Sequence, residues 1–475
     1  MLRFLAIPAL LTTLLITSCS DNPTNSSPSV KPESATATSD SDKNEIEDQT
    51  ASVHFAHPSW LEQGNIYEVN VRQYTPQGTF TAFAKNLDRL KAMGVQTLWF
   101  MPIHPISVKD RKGKMGSYYA VANYTGINPD FGTMHDWKNL VKTAHGKGFK
   151  VIIDWVPNHT GADHPWLTSH PEFYVLDSAT KQPVSPFDWT DTRKLNYDNQ
   201  QMADSMIASM KFWLTESDID GFRCDVAAQV PKKFWTRCIT ELKKTKDVFM
   251  LAEANEAWLH DAGFDATYSW NEFTMMKLVA KGERTAFAID SVLTTLSTTY
   301  PKDAIRMYFT SNHDENSWQL ADWKTMPGAS HAPFAVLTQT LARSVPLIYS
   351  GQEEPFLDSL RFFYKDTITF KNYSRANFYK ALLHLRKSNS ALATDASFKK
   401  LRTNNDAAMY AFEREKDGNK VLVVLNLSKD FQDFTWKDQP SEKVWDNLFL
   451  MNTEPVDKGF RIEPWGYVVY QRKKE

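Results

Sequence analysis

Eight short runs of β-branched and aromatic residues, separated mostly by amphipathic stretches, place the tightest limit on what this chain can fold into. The runs span residues 66–71, 97–101, 151–154, 221–225, 248–253, 266–269, 307–311 and 347–350, and the amphipathic stretches span 80–93, 134–147, 201–217, 232–243, 272–280 and 333–344. Alternation of this kind builds parallel sheets through βα crossovers. Eight strands fit a closed (β/α)8 TIM barrel in the α/β class. A doubly wound open sheet is the alternative, but no glycine-rich phosphate loop follows the first strand.

Two regions depart from a plain barrel. Residues 158–202, after the third strand, form a connection far longer than the usual loop of about 2–6 residues. Rich in Trp, Pro, His and Asp, it is expected to be a small domain B over the barrel rim. Beyond residue 387 the helical pattern stops, and Asp417-Gly418-Asn419 marks a turn between β runs. A C-terminal antiparallel β-sandwich over 396–475 is expected, with the barrel itself over 56–395.

Composition narrows the function. The chain has 475 residues and a formal net charge of −2, which argues against a general nucleic-acid binder. Its 3 cysteines exclude a disulfide scaffold. Aromatics are 13% with 15 Trp, as suits either sugar-ring contacts or a large core.

The N-terminus reads as an address. Arg3 precedes an apolar stretch over 4–16 that is too short to span a bilayer, which needs about 20 residues. Ile16-Thr17-Ser18-Cys19 then resembles the lipobox of bacterial lipoproteins. This implies a signal segment over 1–19, acylation at Cys19 and a flexible tether over 20–55. The expectation is a lipid-anchored protein of the bacterial cell envelope.

Acidic residues cluster at predicted strand ends, where barrel chemistry sits. Asp154, Asp225 and Glu253 end strands, and His313-Asp314 follows another. With a side-chain period of two, Arg223 and Asp225 share a face while Phe222 and Cys224 face the opposite way. Arg223 can therefore hold Asp225 ionised. A structural ion-pair network is the alternative for any single acid; four acids with two histidines and an arginine favour a site. Two carboxylates flanking a bond that breaks through an oxocarbenium-like state is the logic of glycoside hydrolysis.

The motifs around these acids resemble those of the α-amylase family, glycoside hydrolase family 13. Asp154-Trp155-Val156-Pro157-Asn158-His159, Gly221-Phe222-Arg223-Cys224-Asp225, Glu253 preceded by Leu251-Ala252, and Asn312-His313-Asp314 look like its four motifs in family order. Gly116 to Tyr124 resembles the segment after the second strand. The resemblance implies a retaining glycosidase acting on α-1,4 bonds of starch-derived maltooligosaccharides, with α-1,6 bonds as a second target. Asp225 would be the nucleophile, Glu253 the acid/base and Asp314 the third acid, gripping substrate hydroxyls. Arg223 would orient Asp225, His159 and His313 would bond the reacting sugar, Tyr119 would stack beneath it, and Asp154 would brace the pocket. The α-glucan would be the partner and no cofactor would be needed for the chemistry. Asn158 matches a calcium ligand of many relatives.

In detail the chain is similar to the neopullulanase and cyclomaltodextrinase group, through Lys194-Leu195-Asn196 and Asp225-Val226-Ala227. It departs from starch-liquefying enzymes at Ala228 and Gln229, where those carry Lys-His. The tether runs almost directly into the first strand, leaving no room for the extra N-terminal β domain of that group, so its dimer is not carried over and the oligomeric state stays open. Two other classes stay open as well: a transglycosylase passing the same intermediate to a sugar acceptor, and a non-catalytic glucan-binding lipoprotein.

Overall fold

The computed structural model describes residues 55–319, 326–356 and 358–474. The signal segment, Cys19 and the tether through residue 54 lie outside the described residues. Ten strands come first: β1 (Ile66–Val69), β2 (Thr97–Phe100), β3 (Lys150–Trp155), β4 (His159–Gly161), β5 (Thr192–Lys194), β6 (Gly221–Cys224), β7 (Phe249–Ala252), β8 (Ala266–Tyr268), β9 (Ile305–Met307) and β10 (Leu347–Tyr349). Eight of them form one parallel sheet in the order β10-β1-β2-β3-β6-β7-β8-β9. Its ends meet: the Leu347 amide donates to the Tyr308 carbonyl at 2.8 Å and the Val345 amide to the Arg306 carbonyl at 2.9 Å. The sheet is therefore a closed (β/α)8 barrel.

All eight expected barrel strands exist, but the seventh begins two residues earlier than the 307–311 read from sequence. Its strand ladder ends at Met307 although the apolar run continues through Phe309. The expected helix over 80–93 is two helices, Phe80–Ala84 and Leu87–Met93, with the break at Lys85 and Asn86.

Alternation sets the two faces of the barrel wall. Tyr67, Val69, Leu98, Phe100, Val151, Ile153, Phe222 and Cys224 pack with the surrounding helices in one core. Their neighbours Ile66, Trp99, Ile152, Leu251, Ala266 and Tyr268 belong to a second core. Cys224 and Cys238 are both free and buried, in the core that faces the helices. At the start of β6 a side chain on Gly221 would strike the carbonyl oxygen of Phe249, so glycine alone lets β6 pair this closely with β7.

Between β3 and β6, strands β4 and β5 pair antiparallel, with His159 opposite Lys194. This hairpin carries His159 at its base and the loop containing Trp189 and Asp191.

The C-terminal strands are β11 (Ser397–Leu401), β12 (Met409–Lys416), β13 (Asn419–Asn426), β14 (Gln432–Phe434), β15 (Val444–Asn447), β16 (Thr453–Pro455), β17 (Phe460–Ile462) and β18 (Tyr467–Arg472). Six form an antiparallel sheet, and β14 pairs with β17 separately. Asp417 and Gly418 join β12 to β13 with φ of 57° and 81°, the two positive values that a tight two-residue hairpin needs. Met409 and Ala411 face Phe434 and Ile462 of the two-stranded ribbon. Tyr410 and Phe412 point the other way, into the core shared with the barrel. Arg414 on that same face is fully buried and donates to the carbonyls of Thr340, Leu341 and Ala393 at 2.8, 2.7 and 2.8 Å. With no carboxylate partner at these contacts, burial pulls its pKa down to about 10, and the guanidinium serves as a clasp for backbone oxygens between barrel and sheet.

Candidate active site

The polar layer at the barrel mouth is built around Arg223, which is fully buried. Asp154 is its register partner on the adjacent strand. Arg223 Nη1 donates to Asp154 Oδ1 at 2.9 Å and to Asp225 Oδ1 at 3.0 Å, while Nε donates to the Tyr268 hydroxyl at 3.1 Å. Nη2 stands 3.1 Å from Glu253 Oε1 without hydrogen-bond alignment. The rings of Trp99 and Tyr268 lie 5.1 and 5.4 Å from the guanidinium carbon and seat the cation on π faces.

A proton-ordered chain runs on from Asp154. The Tyr119 hydroxyl donates to Asp154 Oδ2 at 3.0 Å and lies 2.8 Å from His313 Nε2. His313 Nε2 is also 3.3 Å from Asp314 Oδ2, and its Nδ1 is 2.5 Å from Glu68 Oε1. Because the Tyr119 proton goes to Asp154, both ring nitrogens of His313 face acceptors, which defines an imidazolium. Burial opposes that charge and Arg223 repels it, but the Asp314 and Glu68 carboxylates outweigh both and raise the pKa to about 9.

This gives a pH prediction with a definite sign. The folded pKa of His313 exceeds its ordinary 6.5, so the stabilisation is complete below 6.5 and is lost as pH rises through about 9. The alkaline limb of kcat/KM should fall near that value. Glu68→Gln removes one of the two anions and should move the limb down by about one pH unit or more. A limb that stays put in the variant would remove His313 as its source.

Asp225 and Glu253 stand one residue beyond β6 and β7, still tied into the sheet. The Asp225 amide donates to the Trp155 carbonyl at 2.8 Å and the Glu253 amide to the Cys224 carbonyl at 2.9 Å. Val226 follows at φ 38°, a left-handed conformation that strains a β-branched residue. Its amide donates to Glu253 Oε2 at 2.8 Å, so the strained turn links the two acids.

Five carboxylates (Glu68, Asp154, Asp225, Glu253 and Asp314) meet two cations, Arg223 and His313. The excess of negative charge makes the cluster hold protons. Burial, then Glu253, pushes the Asp225 carboxyl well above the usual carboxylate range, with Arg223 opposing. Burial raises Asp154 to about 6 against the pull of Arg223. Asp225 and Glu253 both stand beside the one guanidinium, at 3.0 and 3.1 Å.

A cleft of about 230 Å³ opens above this layer, lined by Asp225, Glu253, Asp314, Tyr119, His159 and His313 among others. Asp154 and Arg223, both fully buried, form the floor behind it. His159 sits 5.3 Å from the Trp189 ring, and burial lowers its pKa to about 3, which keeps it neutral. Eight of the residues picked out from sequence thus come together. Asn158 lies to the side, its side-chain nitrogen 3.2 Å from His159 Nδ1. Calcium takes about 6–8 oxygen ligands. Among the described residues no group of three or more His, Cys, Asp or Glu is placed to hold a metal. The surroundings of Asn158 therefore do not fit a calcium cage built on acidic side chains. Ala228 and Gln229 lie in the short 3₁₀ turn Ala227–Gln229, outside the cleft lining.

Four participants were not singled out from the sequence. Glu68, Tyr268, Trp189 and Phe362 complete the layer and the walls. Glu68 had a readable signal, an acid within the apolar run Ile66-Tyr67-Glu68-Val69.

A closed β/α barrel with paired carboxylates around one buried arginine at its C-terminal rim defines a class of glycoside-processing enzyme. The model of the alpha-amylase catalytic domain matches residues 36–193 and 174–377. The chain belongs to the alpha-amylase family and is an enzyme of that family. It is 26% identical over 393 residues to an alpha-amylase of Haloarcula japonica, covering 78% of this chain and 56% of that one. It is 24% identical over 505 residues to alpha-amylase 3 of Dictyoglomus thermophilum, covering 88% and 95%. The solved alpha-amylase of Lactobacillus plantarum is 27% identical with a TM-score of 0.78, covering 88% of this chain and all (100%) of that one. Relatives named cyclomaltodextrinase and neopullulanase 2 align with 79% and 80% of the chain, in keeping with the group that the motifs resemble.

Proposed function

We propose that the protein is a retaining glycosidase that cleaves α-1,4-glucosidic bonds, with some α-1,6 capacity, in starch-derived maltooligosaccharides. One observation carries this reading: Asp225 and Glu253 both lie within about 3 Å of the same guanidinium while lining one cleft with Asp314. The amide of Val226, the residue after Asp225, also donates to Glu253 Oε2 at 2.8 Å, which supports two acids held side by side as nucleophile and acid/base.

In this mechanism the Asp225 carboxylate attacks C1 of the sugar in the cleft. The C1–oxygen bond breaks and Glu253 gives its proton to the departing oxygen. Water then attacks C1, passes a proton to Glu253, and the ester to Asp225 opens. The reaction needs a charged Asp225, and the hydrogen bond from Arg223 Nη1 to Asp225 Oδ1, with no aligned bond from Nη2 to Glu253, supports that charge against the burial that pushes the Asp225 carboxyl up. The Asp314 carboxylate, partly exposed at 35%, is free to take sugar hydroxyls. Tyr119, oriented by Asp154, lines the cleft beside the sugar.

The test is anomeric NMR on the first products from amylose, pullulan and cyclodextrin. Early α-anomer is expected, and early β-anomer would overturn the retaining assignment. At high maltotriose, shorter products mean hydrolysis and longer ones mean transfer to a sugar acceptor. The same proposal places the enzyme at the bacterial cell envelope, anchored through an acylated Cys19. No helix among the described residues is long and apolar enough to cross a membrane.

A further inference from the structure

Beyond the reacting centre, an aromatic column leads out of the cleft. His313 stacks on Tyr119 at 5.6 Å and 23°, Tyr119 on Phe362 at 6.2 Å and 18°, and Phe362 on Trp318 at 5.6 Å and 27°. The first rings are buried. Trp318 at the outer end is 57% exposed, yet it lines the same cleft as Asp225 and Glu253. The helix His313–Gln319 explains the alignment. Asp314 and Trp318 are four residues apart and so share a face.

Trp318 also rests on a built seat. The buried Asn316, on another face of that helix, accepts from the Leu360 amide at 2.8 Å and donates to the Asp358 carbonyl at 3.1 Å. Ser317 Oγ donates to the Leu360 carbonyl at 2.8 Å. These bonds fix the helix to the segment that carries Phe362, so one indole face is held against Phe362 and the other is left to the cleft. An indole face that lines the same cleft as the acids is available to a sugar ring.

We infer that Trp318 is a sugar-stacking platform that binds a glucose unit of the α-glucan chain remote from the scissile bond, and so sets the enzyme's preference for longer chains. The inference rests on the proposed α-glucan reading and names a specificity-determining residue for it. The occupant is a chain already threaded past Asp225, because the cleft is continuous from the acids to the indole. An apolar ring face suits the C–H face of a pyranose, and it selects for chain length because only a chain long enough to reach it benefits.

The experiment compares kcat/KM on maltoheptaose with that on maltotriose. In Trp318→Ala the ratio of the two should fall about tenfold, through KM rather than kcat, and Trp318→Phe should restore most of it. An unchanged ratio in Trp318→Ala, or an equal loss on both substrates, would overturn the platform. Electrophoretic retardation in gels containing amylopectin gives a second readout that needs no turnover. Trp318→Ala should be retarded less than the parent, and equal retardation would overturn the inference. If the parent turns over neither substrate but its retardation depends on Trp318, the platform stands and the glycosidase reading fails.

Discussion

Asp225→Asn should lower kcat on maltooligosaccharides by about 10⁴-fold or more while leaving the fold intact. The amide is isosteric and its oxygen still accepts from Arg223 Nη1, now 3.0 Å from Asp225 Oδ1. What disappears is the negative charge that attacks C1. The same change removes one of five carboxylates crowded around two cations, so the thermal midpoint should hold or rise. Active sites hold like charges together at a cost to stability, and relieving that repulsion commonly stabilises the protein. Loss of turnover with an unchanged or higher midpoint is the result expected of a nucleophile. Turnover close to the parent's would remove Asp225 from that role, and a midpoint lowered by several degrees would assign the loss to folding instead.

The contrast between Asp225 and Glu68 shows what a sequence can disclose about such a site. Asp225 was legible because its strand carries a local pattern: Arg223 two residues earlier, on the same face, at the end of an apolar run. Glu68 obeys the same alternation, but its partner His313 is 245 residues away. Only the pairing of β1 with β10, and of β10 with the run after β9, brings them together, and nothing local marks that event. The aromatic column is harder still, since Tyr119, Phe362 and Trp318 come from three separate loops or helices.

Helix reading failed for a different reason. Phe287–Thr299 is a full helix although six of its 13 residues are Ser or Thr, which favour helices weakly. Its hydroxyls turn back onto the chain instead, as where Thr294 Oγ1 donates to the Asp290 carbonyl at 2.8 Å. Buried Ile289 and Leu296 supply the packing that propensity lacks. The barrel strands were readable because burial on both faces makes them dense in apolar residues, whereas this helix is defined by its neighbours.

Glu253→Ala should separate the two halves of the proposed reaction. On maltooligosaccharides, whose leaving oxygen needs a proton, kcat should fall by roughly 10²–10⁴-fold, the usual worth of a general acid. On α-maltosyl fluoride the first step should be nearly spared, because fluoride departs without protonation. The Asp225 ester would then accumulate, since Glu253 is also the base that activates water. Azide needs no base. Added azide should therefore restore turnover of the fluoride and yield an α-glycosyl azide, the product of a second inversion at C1. A β-glycosyl azide would mean that azide had attacked the substrate directly and that no ester to Asp225 had formed. Loss of the Glu253 carboxylate also frees the Val226 amide now bonded to Oε2 at 2.8 Å. Glu253→Gln, which keeps an oxygen acceptor for that amide, should show the same substrate dependence. If Gln behaves like the parent on maltooligosaccharides while Ala does not, the residue holds the strained turn at Val226 and some other group supplies the proton.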